Sequence, residues 1–274
     1  MKVLYMGDVV GRSGRDAVLA RMPEIRARLA PDFVVLNAEN AAHGFGLTPR
    51  ICDEFLAAGI DVVTLGNHSW DHREILAHID GEPRLLRPLN YPPGTPGRGC
   101  GVFAAGRGRK VMVMQVMGRL FMDPLDCPFA AVERELARLR MGPGGVDAVL
   151  VDVHAEASSE KMALGHILDG RVSVVVGSHS HIPTADAQIL PGGTAYQTDA
   201  GMCGDYDSVI GMKKGPAAMK FIRKMPGERL SPAEGPGTVC GLLVDDRTGL
   251  ATRVGALRLG PRLAEAWPDA DGRP

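Results

Sequence analysis

The sequence predicts an α/β protein, and two observations carry the prediction. Short apolar runs alternate with helix-patterned segments through the first third of the chain, and five buried-looking runs along the chain end in polar residues of a few recurring types. Alternation of this kind builds a sheet covered by helices. The chain has 274 residues, of which 45% are hydrophobic and 23% charged, so it can bury a sizeable core.

The elements follow in order. Lys2 to Met6 is a compact apolar run that stops at Gly7-Asp8. From Arg15 to Leu29, the apolar residues Val18, Met22, Ile25 and Leu29 recur at helical spacing. Phe33 to Leu36 is a second strand, ending at Asn37. Thr48-Pro49 pairs an N-cap with proline at the first helical position, which opens a helix to about Ala58. Asp61 to Leu65 is a third strand, ending at Gly66-Asn67-His68, and Asp71 is placed as the cap of a short helix. Pro83 to Gly101 is rich in Pro and Gly and reads as a long loop, because strands resume at once. Gly101 to Ala105 and Lys110 to Val116 form a hairpin across Gly106-Arg107-Gly108-Arg109. A helix from Pro128 to Arg140 precedes a strand from Asp147 to Val153 that ends at His154. A helix from Ser158 to Leu168 precedes a strand from Val172 to Val176 that ends at Gly177-Ser178-His179. Four shorter strands complete the pattern, at Ala187–Leu190, Thr194–Thr198, Val239–Val244 and Ala251–Leu257. Residues 1–260 are expected to form one domain, and 261–274 a frayed polar tail.

The strand ends matter most. They carry Asp8; Asn37 with Glu39 and Asn40; Asn67 with His68; His154; and His179 with His181. In open α/β sheets, ligands sit beyond the carboxyl ends of the strands, so these residues are expected to converge. Oxygen and imidazole donors without thiolates suit iron, manganese, zinc or nickel. Two divalent ions about 3.5–4 Å apart need a bridging carboxylate and further ligands each, which this inventory can supply.

Composition narrows the alternatives. A net charge of −1 gives no global attraction to nucleic acid or membrane, although a local basic groove stays open. The five cysteines are widely spaced and form no CxxC pair, which argues against a disulfide framework or a zinc ribbon. Free thiols fit a reducing cytoplasm, the expected location. Met1 to Asp8 turns polar too soon for a signal peptide, and no apolar stretch reaches the ~18 residues of a membrane span.

Gly7-Asp8, Gly66-Asn67-His68, the lone His154 and Gly177-Ser178-His179-Ser180-His181 resemble the ordered motifs of the calcineurin-like metallophosphoesterases. More narrowly, the chain resembles the YmdB-type bacterial cyclic-nucleotide phosphodiesterases. Gly7 to Gly11, Asn37 to Gly44, Gly66 to Asp71, Arg87 to Pro92 and His179-Ser180-His181 carry that likeness, which extends from Met1 to about Leu259. It departs from the wider superfamily at Asp8-Val9-Val10, where an Asp-x-His motif is usual, at Asn37-Ala38-Glu39-Asn40, which replaces the bridging aspartate motif, and at Ser178.

The resemblance implies a four-layer α/β/β/α sandwich of two mixed sheets. It implies two divalent metal ions per chain, iron foremost, with manganese or zinc as alternatives. Glu39 would bridge them; Asp8, Asn40 and His181 would complete one site, and Asn67, His154 and His179 the other. A metal-bridging hydroxide would attack phosphorus, and His68 would protonate the leaving oxygen as general acid. The implied substrates are cyclic nucleotides, 2′,3′-cyclic NMPs above all and 3′,5′-cyclic AMP besides. Self-association is expected, and RNA association is left open.

Some residues keep two readings. Asn40 is a ligand or a turn residue. His43 positions substrate or merely shapes a loop. Arg12, in Gly11-Arg12-Ser13-Gly14-Arg15, helps hold a phosphate at a helix N-terminus or belongs to a plain turn. Asp199, Asp205 and Asp207 line the cleft or form turns, Lys213-Lys214 is a solvated pair, and His72, His78 and His166 fall in helical patterns as surface or packing residues. Rival functions are a phosphomonoesterase, nucleotidase or protein phosphatase on the same site, and a non-catalytic regulatory or RNA-associated binding protein.

Overall fold

A computed structural model describes residues 1–225 and 227–268. In chain order the elements are β1 (Lys2–Met6), α1 (Gly11–Leu29), β2 (Phe33–Asn37), α2 (Pro49–Ala57), β3 (Val62–Thr64), α3 (Ile75–His78), β4 (Leu85–Leu86), β5 (Cys100–Ala104) and β6 (Lys110–Met117). There follow α4 (Pro128–Arg138), β7 (Ala148–His154), α5 (Ser158–Leu168), β8 (Val174–Ser178), β9 (Gln188–Ile189), β10 (Ala195–Gln197), α6 (Lys214–Arg223), β11 (Val239–Asp246) and β12 (Ala251–Leu259).

The strands form two six-stranded sheets, ordered β12-β11-β1-β2-β3-β4 and β5-β6-β7-β8-β10-β9. Both are mixed: in the first, β1 to β4 run parallel and β11 and β12 pair antiparallel at one side; in the second, β6, β7, β8 and β10 run parallel, with antiparallel β5 and β9 at the two edges. Side chains alternate across a strand, so a strand buried on both faces needs a partner layer on each. Val3, Tyr5, Phe33 and Val35 of the first sheet share one core with Val113, Leu150 and Val176 of the second. Leu4, Met6, Val34 and Leu36 turn the other way, onto Val18, Ile25 and Leu29 of α1 and Phe55 of α2. Met114, Val149 and Val151 likewise pack with Val132 and Leu136 of α4 and Leu164 and Leu168 of α5. The result is the expected α/β/β/α sandwich of two mixed sheets.

One feature of this packing positions the site. The face between the sheets is apolar until the last residues of the central strands and then turns polar. Asn37, Thr64, Gln115, Asp152 and Ser178 each follow an inward apolar residue by two positions, and all are buried. Period-2 geometry puts these polar groups on the same inward face, so both sheets deliver them to one end of the sandwich.

Several local expectations need correction. Helix α1 begins at Gly11, four residues before Arg15, because Gly14 N–H closes onto Val10 C=O at 3.1 Å and Ser13 Oγ donates to Gly235 C=O at 2.7 Å. Asp71 does not cap α3; Glu74 stands there, and the Asp71 carboxylate accepts from His68 instead. His72 accordingly lies in a bend outside the helix, whereas His78 and His166 are helical. Helix α4 stops at Arg138, short of Arg140. The Pro-rich loop contains β4, and Lys214, expected only as half of a solvated pair, opens the unforeseen helix α6. The segment after Pro261 is not frayed as far as it is described. Ala266 exchanges backbone hydrogen bonds of 2.8 and 2.9 Å with Arg258, and Trp267 lies 4.1 Å from the Arg28 guanidinium. Residues 269–274 of the expected tail lie outside the described residues.

Candidate metal centre

Asp8 stands two residues beyond β1, where Val9 N–H donates to Asn37 C=O and Cys203 N–H to Asp8 C=O. Gly7 lets the 200–203 backbone approach this closely, since a Cβ there would run into Gly201 C=O. Asp8 is fully buried; its Oδ2 accepts from His179 N–H at 3.2 Å, and its Oδ1 has no hydrogen-bond partner among the described residues, with His154 Nδ1 3.7 Å away. Glu39 is held from both sides: Asn37 Oδ1 accepts its N–H at 3.0 Å, and its own Oε2 accepts from His68 N–H at 3.0 Å. Glu39 Oε1 lies 3.1 Å from His154 Nε2.

His154 ends β7 with its ring facing Glu39. Its Nε2 is 2.9 Å from Asn67 Oδ1 and 3.2 Å from His179 Nδ1, and its Nδ1 is 2.9 Å from Ser178 Oγ. His181 Nδ1 donates to Ile210 C=O at 2.8 Å, which leaves Nε2 free to face inward. Asn40 Nδ2 donates to Gly44 C=O at 3.2 Å, and its buried Oδ1 lacks a partner. Backbone cost accompanies this convergence. His179 and His181 take φ of 94° and 67°, a region unfavourable for any side chain with a Cβ. Asp199 holds their turn: its Oδ2 accepts from Ser180 N–H at 3.0 Å, from Ser180 Oγ at 2.8 Å and from the buried Lys161 ammonium at 2.8 Å.

Two donor groups result, Asp8–Glu39–His181 and Glu39–His154–His179, and Glu39 is common to both. The residues fit a pair of cations. Two buried oxygens, Asp8 Oδ1 and Asn40 Oδ1, have no hydrogen-bond donor, and an unpaired buried acceptor is costly unless something positive meets it. Charge points the same way. Burial pushes the Asp8 carboxyl up to about 6, against the pull of His181 and His154. Burial would also raise Glu39, but His154 and His68 together hold it below its usual range. For His154, burial opposes charge, yet Glu39, Asp8 and Asp152 win and raise it. Burial and the charge on His154 push His179 down to about 3. Three acids buried together favour a cation among them.

The structure therefore brings together Asp8, Glu39, Asn67, His154, His179 and His181, and buries the unpaired oxygen of Asn40, the neighbour of Glu39 in the chain. His68 stands at the edge; Asp71 Oδ2 takes its Nδ1 at 2.8 Å, and Phe45 packs against its ring. His43 lies outside the donor cluster, in a neighbouring hollow with Phe45, Asp71 and His72. Arg12 is exposed, and no hydrogen bond or ion pair joins it to the centre among the described residues. Asp205 and Asp207 serve loops: Asp205 accepts from Asp207 and Gly235 N–H groups, and Asp207 pairs with Lys214.

Sequence reasoning missed the support behind the centre. Asp152 Oδ1 accepts from Ser178 Oγ at 2.7 Å, and its Oδ2 from Thr64 Oγ1 at 2.7 Å and Gln115 Nε2 at 3.1 Å. Its signal was present, as an acid inside Ala148–His154 spaced two residues from His154 and so on the same face. Lys161 gave no such signal, because a lysine in a helix normally faces water.

That fold with that centre is the metallophosphoesterase class, a class of phosphoester hydrolases. Within it the chain belongs to the YmdB-like family, whose family model matches residues 4–257. The 2′,3′-cyclic-nucleotide 2′-phosphodiesterase of Bacillus subtilis (strain 168) is 43% identical over 256 residues, covering 93% of this chain and 95% of that protein. A crystal structure of a Thermus thermophilus protein described as hypothetical superposes with a TM-score of 0.88 at 45% identity, over 95% of this chain and 99% of that one. The crystal structure of a novel phosphatase from Mycoplasma pneumoniae gives 0.87 at 30% identity, over 95% and 93%. No helix among the described residues is long and apolar enough to cross a membrane.

Proposed function

We propose that the protein is a dinuclear metal-dependent phosphodiesterase whose substrates are cyclic nucleotides, 2′,3′-cyclic nucleotides first and 3′,5′-cyclic AMP second. The observation that carries the proposal is Glu39, a single carboxylate shared by two otherwise separate donor groups. The Bacillus subtilis relative, similar over nearly its whole length, supports the substrate class. With Glu39, one ion would take Asp8, Asn40 and His181, and the other Asn67, His154 and His179. Oxygen and imidazole donors suit iron, manganese or zinc. Two such ions, when bound, lower the pKa of a water to supply hydroxide at neutral pH and offset charge on the phosphoryl oxygens.

The chain's own residues do the rest. With ions bound, His181 would donate its Nδ1–H to Ile210 C=O and His154 its Nδ1–H to Ser178 Oγ, so both rings would present an Nε2 lone pair. Asp71 accepts a hydrogen bond from His68 Nδ1–H, so the proton that His68 can deliver sits on Nε2. A ribose alkoxide is a poor leaving group, and His68 is positioned to protonate it; general acid catalysis contributes roughly 10²–10⁴-fold.

Two measurements test this reading. Bis-p-nitrophenyl phosphate should be hydrolysed faster than p-nitrophenyl phosphate, and a monoester rate far above the diester rate would turn the assignment to a phosphomonoesterase. His68→Ala should lower turnover of a cyclic nucleotide by roughly 10²-fold or more while affecting the nitrophenyl diester far less, because nitrophenolate departs without a proton. Equal losses on both substrates would remove His68 from the acid role.

A further inference from the structure

At the edge of the centre the His68 side chain is part-exposed, at 27%. Phe45 stands edge-on to the His68 ring with centroids 5.1 Å apart, and Asp71 holds its Nδ1. Beyond them, His43, Phe45, Asp71 and His72 line one wall of a hollow of about 630 Å³, and Arg229 to Pro232 with Glu234 line the other. Three of those four side chains are rings. Leu230 also belongs to a second hollow of about 560 Å³, formed with Met219, Lys220 and Arg223 of α6. The hollow beside His68 and the helix are thus two sides of one strap.

Helix α6 is unusual in this molecule. It buries only Ala217. Its outer side shows Phe221 and Ile222 at 72% and 74% exposure, and Met225 follows at 67%. Residues 213–224 contain Lys213, Lys214, Lys220, Arg223 and Lys224 and no acid, in a chain whose net charge is −1. Lys214 is paired with Asp207 at 2.9 Å, and Lys213 stands 3.9 Å from Glu234. Among the described residues no carboxylate pairs with Lys220, Arg223 or Lys224.

We propose that this surface selects the substrate: a single-stranded oligoribonucleotide that ends in a 2′,3′-cyclic phosphate, with its last nucleoside in the ring-lined hollow and its preceding phosphodiesters along α6. The proposal rests on the phosphodiesterase reading and deepens it. Lys220, Arg223 and Lys224 share one face of the helix by their spacing, with Glu228 as the acid lining the same hollow as Lys220 and Arg223, and this excess of cations matches a chain of phosphates, whose neutralisation releases counterions. The exposed Phe221 and Ile222, on the helix surface next to those cations, suit unstacked bases, which every single strand offers. A mononucleotide ends within the hollow and gains nothing from α6. A lipid surface would meet α6 but has no group that reaches past the strap to His68. In the reaction, the water oxygen bonds to phosphorus, the bond from phosphorus to the ribose 2′ oxygen breaks, and that oxygen takes the proton from His68. The strand is left with a 3′-phosphomonoester.

The test compares a short oligoribonucleotide ending in the cyclic phosphate with the cyclic mononucleotide of the same base. At low salt kcat/KM should favour the oligonucleotide by about tenfold or more, through KM, and the preference should fall with salt at a log–log slope of about −2 for three contacted phosphates. Replacing the three exposed cations together (Lys220→Glu, Arg223→Glu, Lys224→Glu) should erase the preference and leave mononucleotide turnover and the circular dichroism spectrum unchanged. An unmodified protein without preference, or a triple variant that keeps it, overturns the proposal. So does a triple variant that keeps the preference but loses flotation with phosphatidylglycerol vesicles, which would assign α6 to a lipid surface. Turnover of the mononucleotide without preference sinks this inference alone, whereas turnover of neither substrate sinks the phosphodiesterase reading beneath it.

Discussion

Ser178 donates to Asp152 and accepts from His154, so one hydroxyl links a buried carboxylate to the ring that faces Glu39. The link sets the tautomer of His154, and partners of this kind tune metal affinity. Ser178→Ala should therefore weaken metal binding about 10–100-fold, read by competition titration with a chelating dye, with the far-ultraviolet spectrum preserved. Unchanged affinity would show that His154 keeps its orientation without the hydroxyl. Gly66 makes the complementary case. A Cβ there would strike Glu39 Oε2 and His154 Nε2, atoms of the carboxylate common to both donor groups and of a ring in one of them. Gly66→Ala should thus lower metal loading, and metal analysis of the purified variant should find well below the parent's content; full loading would mean that the carboxylate can retreat without loss. Both positions were visible beforehand, Gly66 within a quoted motif and Ser178 as a departure from one. Neither role was, because each depends on atoms from a strand distant in sequence.

Element-scale behaviour follows from what each helix buries. Helix α5 is tied to the turn that bears His179 and His181 through Lys161 and Asp199, an ion pair with both side chains out of water. Removing one member of such a pair strands the other charge and costs about 3–5 kcal/mol. Lys161→Met should lower the denaturant midpoint by a corresponding amount, and a variant as stable as the parent would show that the Ser180 and Gly201 donors alone satisfy Asp199. Helix α6 lies at the opposite extreme. With only Ala217 buried against α1's seven buried residues, it has little packing to resist opening. Hydrogen exchange should be faster at Met219–Arg223 than at Val18–Leu29; equal protection would mean that α6 is covered in solution. The same contrast explains what sequence pattern could see. Helix α1 announces itself by an apolar stripe, whereas α6 packs through one alanine and leaves no stripe to find.

For the whole molecule, the centre is also a burden on stability. Asp8, Glu39 and Asp152 are buried together at the polar end of the inter-sheet face. A cation that binds only the folded state stabilises it by mass action. Stripping metal with a chelator should lower Tm, and adding back Mn²⁺ or Fe²⁺ should restore it, both read by scanning calorimetry. A Tm indifferent to metal would remove the electrostatic case for the site. The sandwich around it is conventional in its energetics: Leu150 sits in the core between the sheets, and Leu150→Ala should cost about 2–5 kcal/mol by denaturant titration.

The chain's own order of residues determined the α/β class, the placement of most strands and helices, and the donors carried at the strand ends. Those are local properties, since periodicity and turn residues act within a few positions. Only the tertiary structure decided which donors share Glu39, that Asp152 and Lys161 are buried supports, and that a basic helix stands beside an open hollow near His68. Such facts arise when two sheets meet face to face, which brings residues as far apart as Asp8 and His179 within hydrogen-bond reach, a relation that no spacing along the chain encodes.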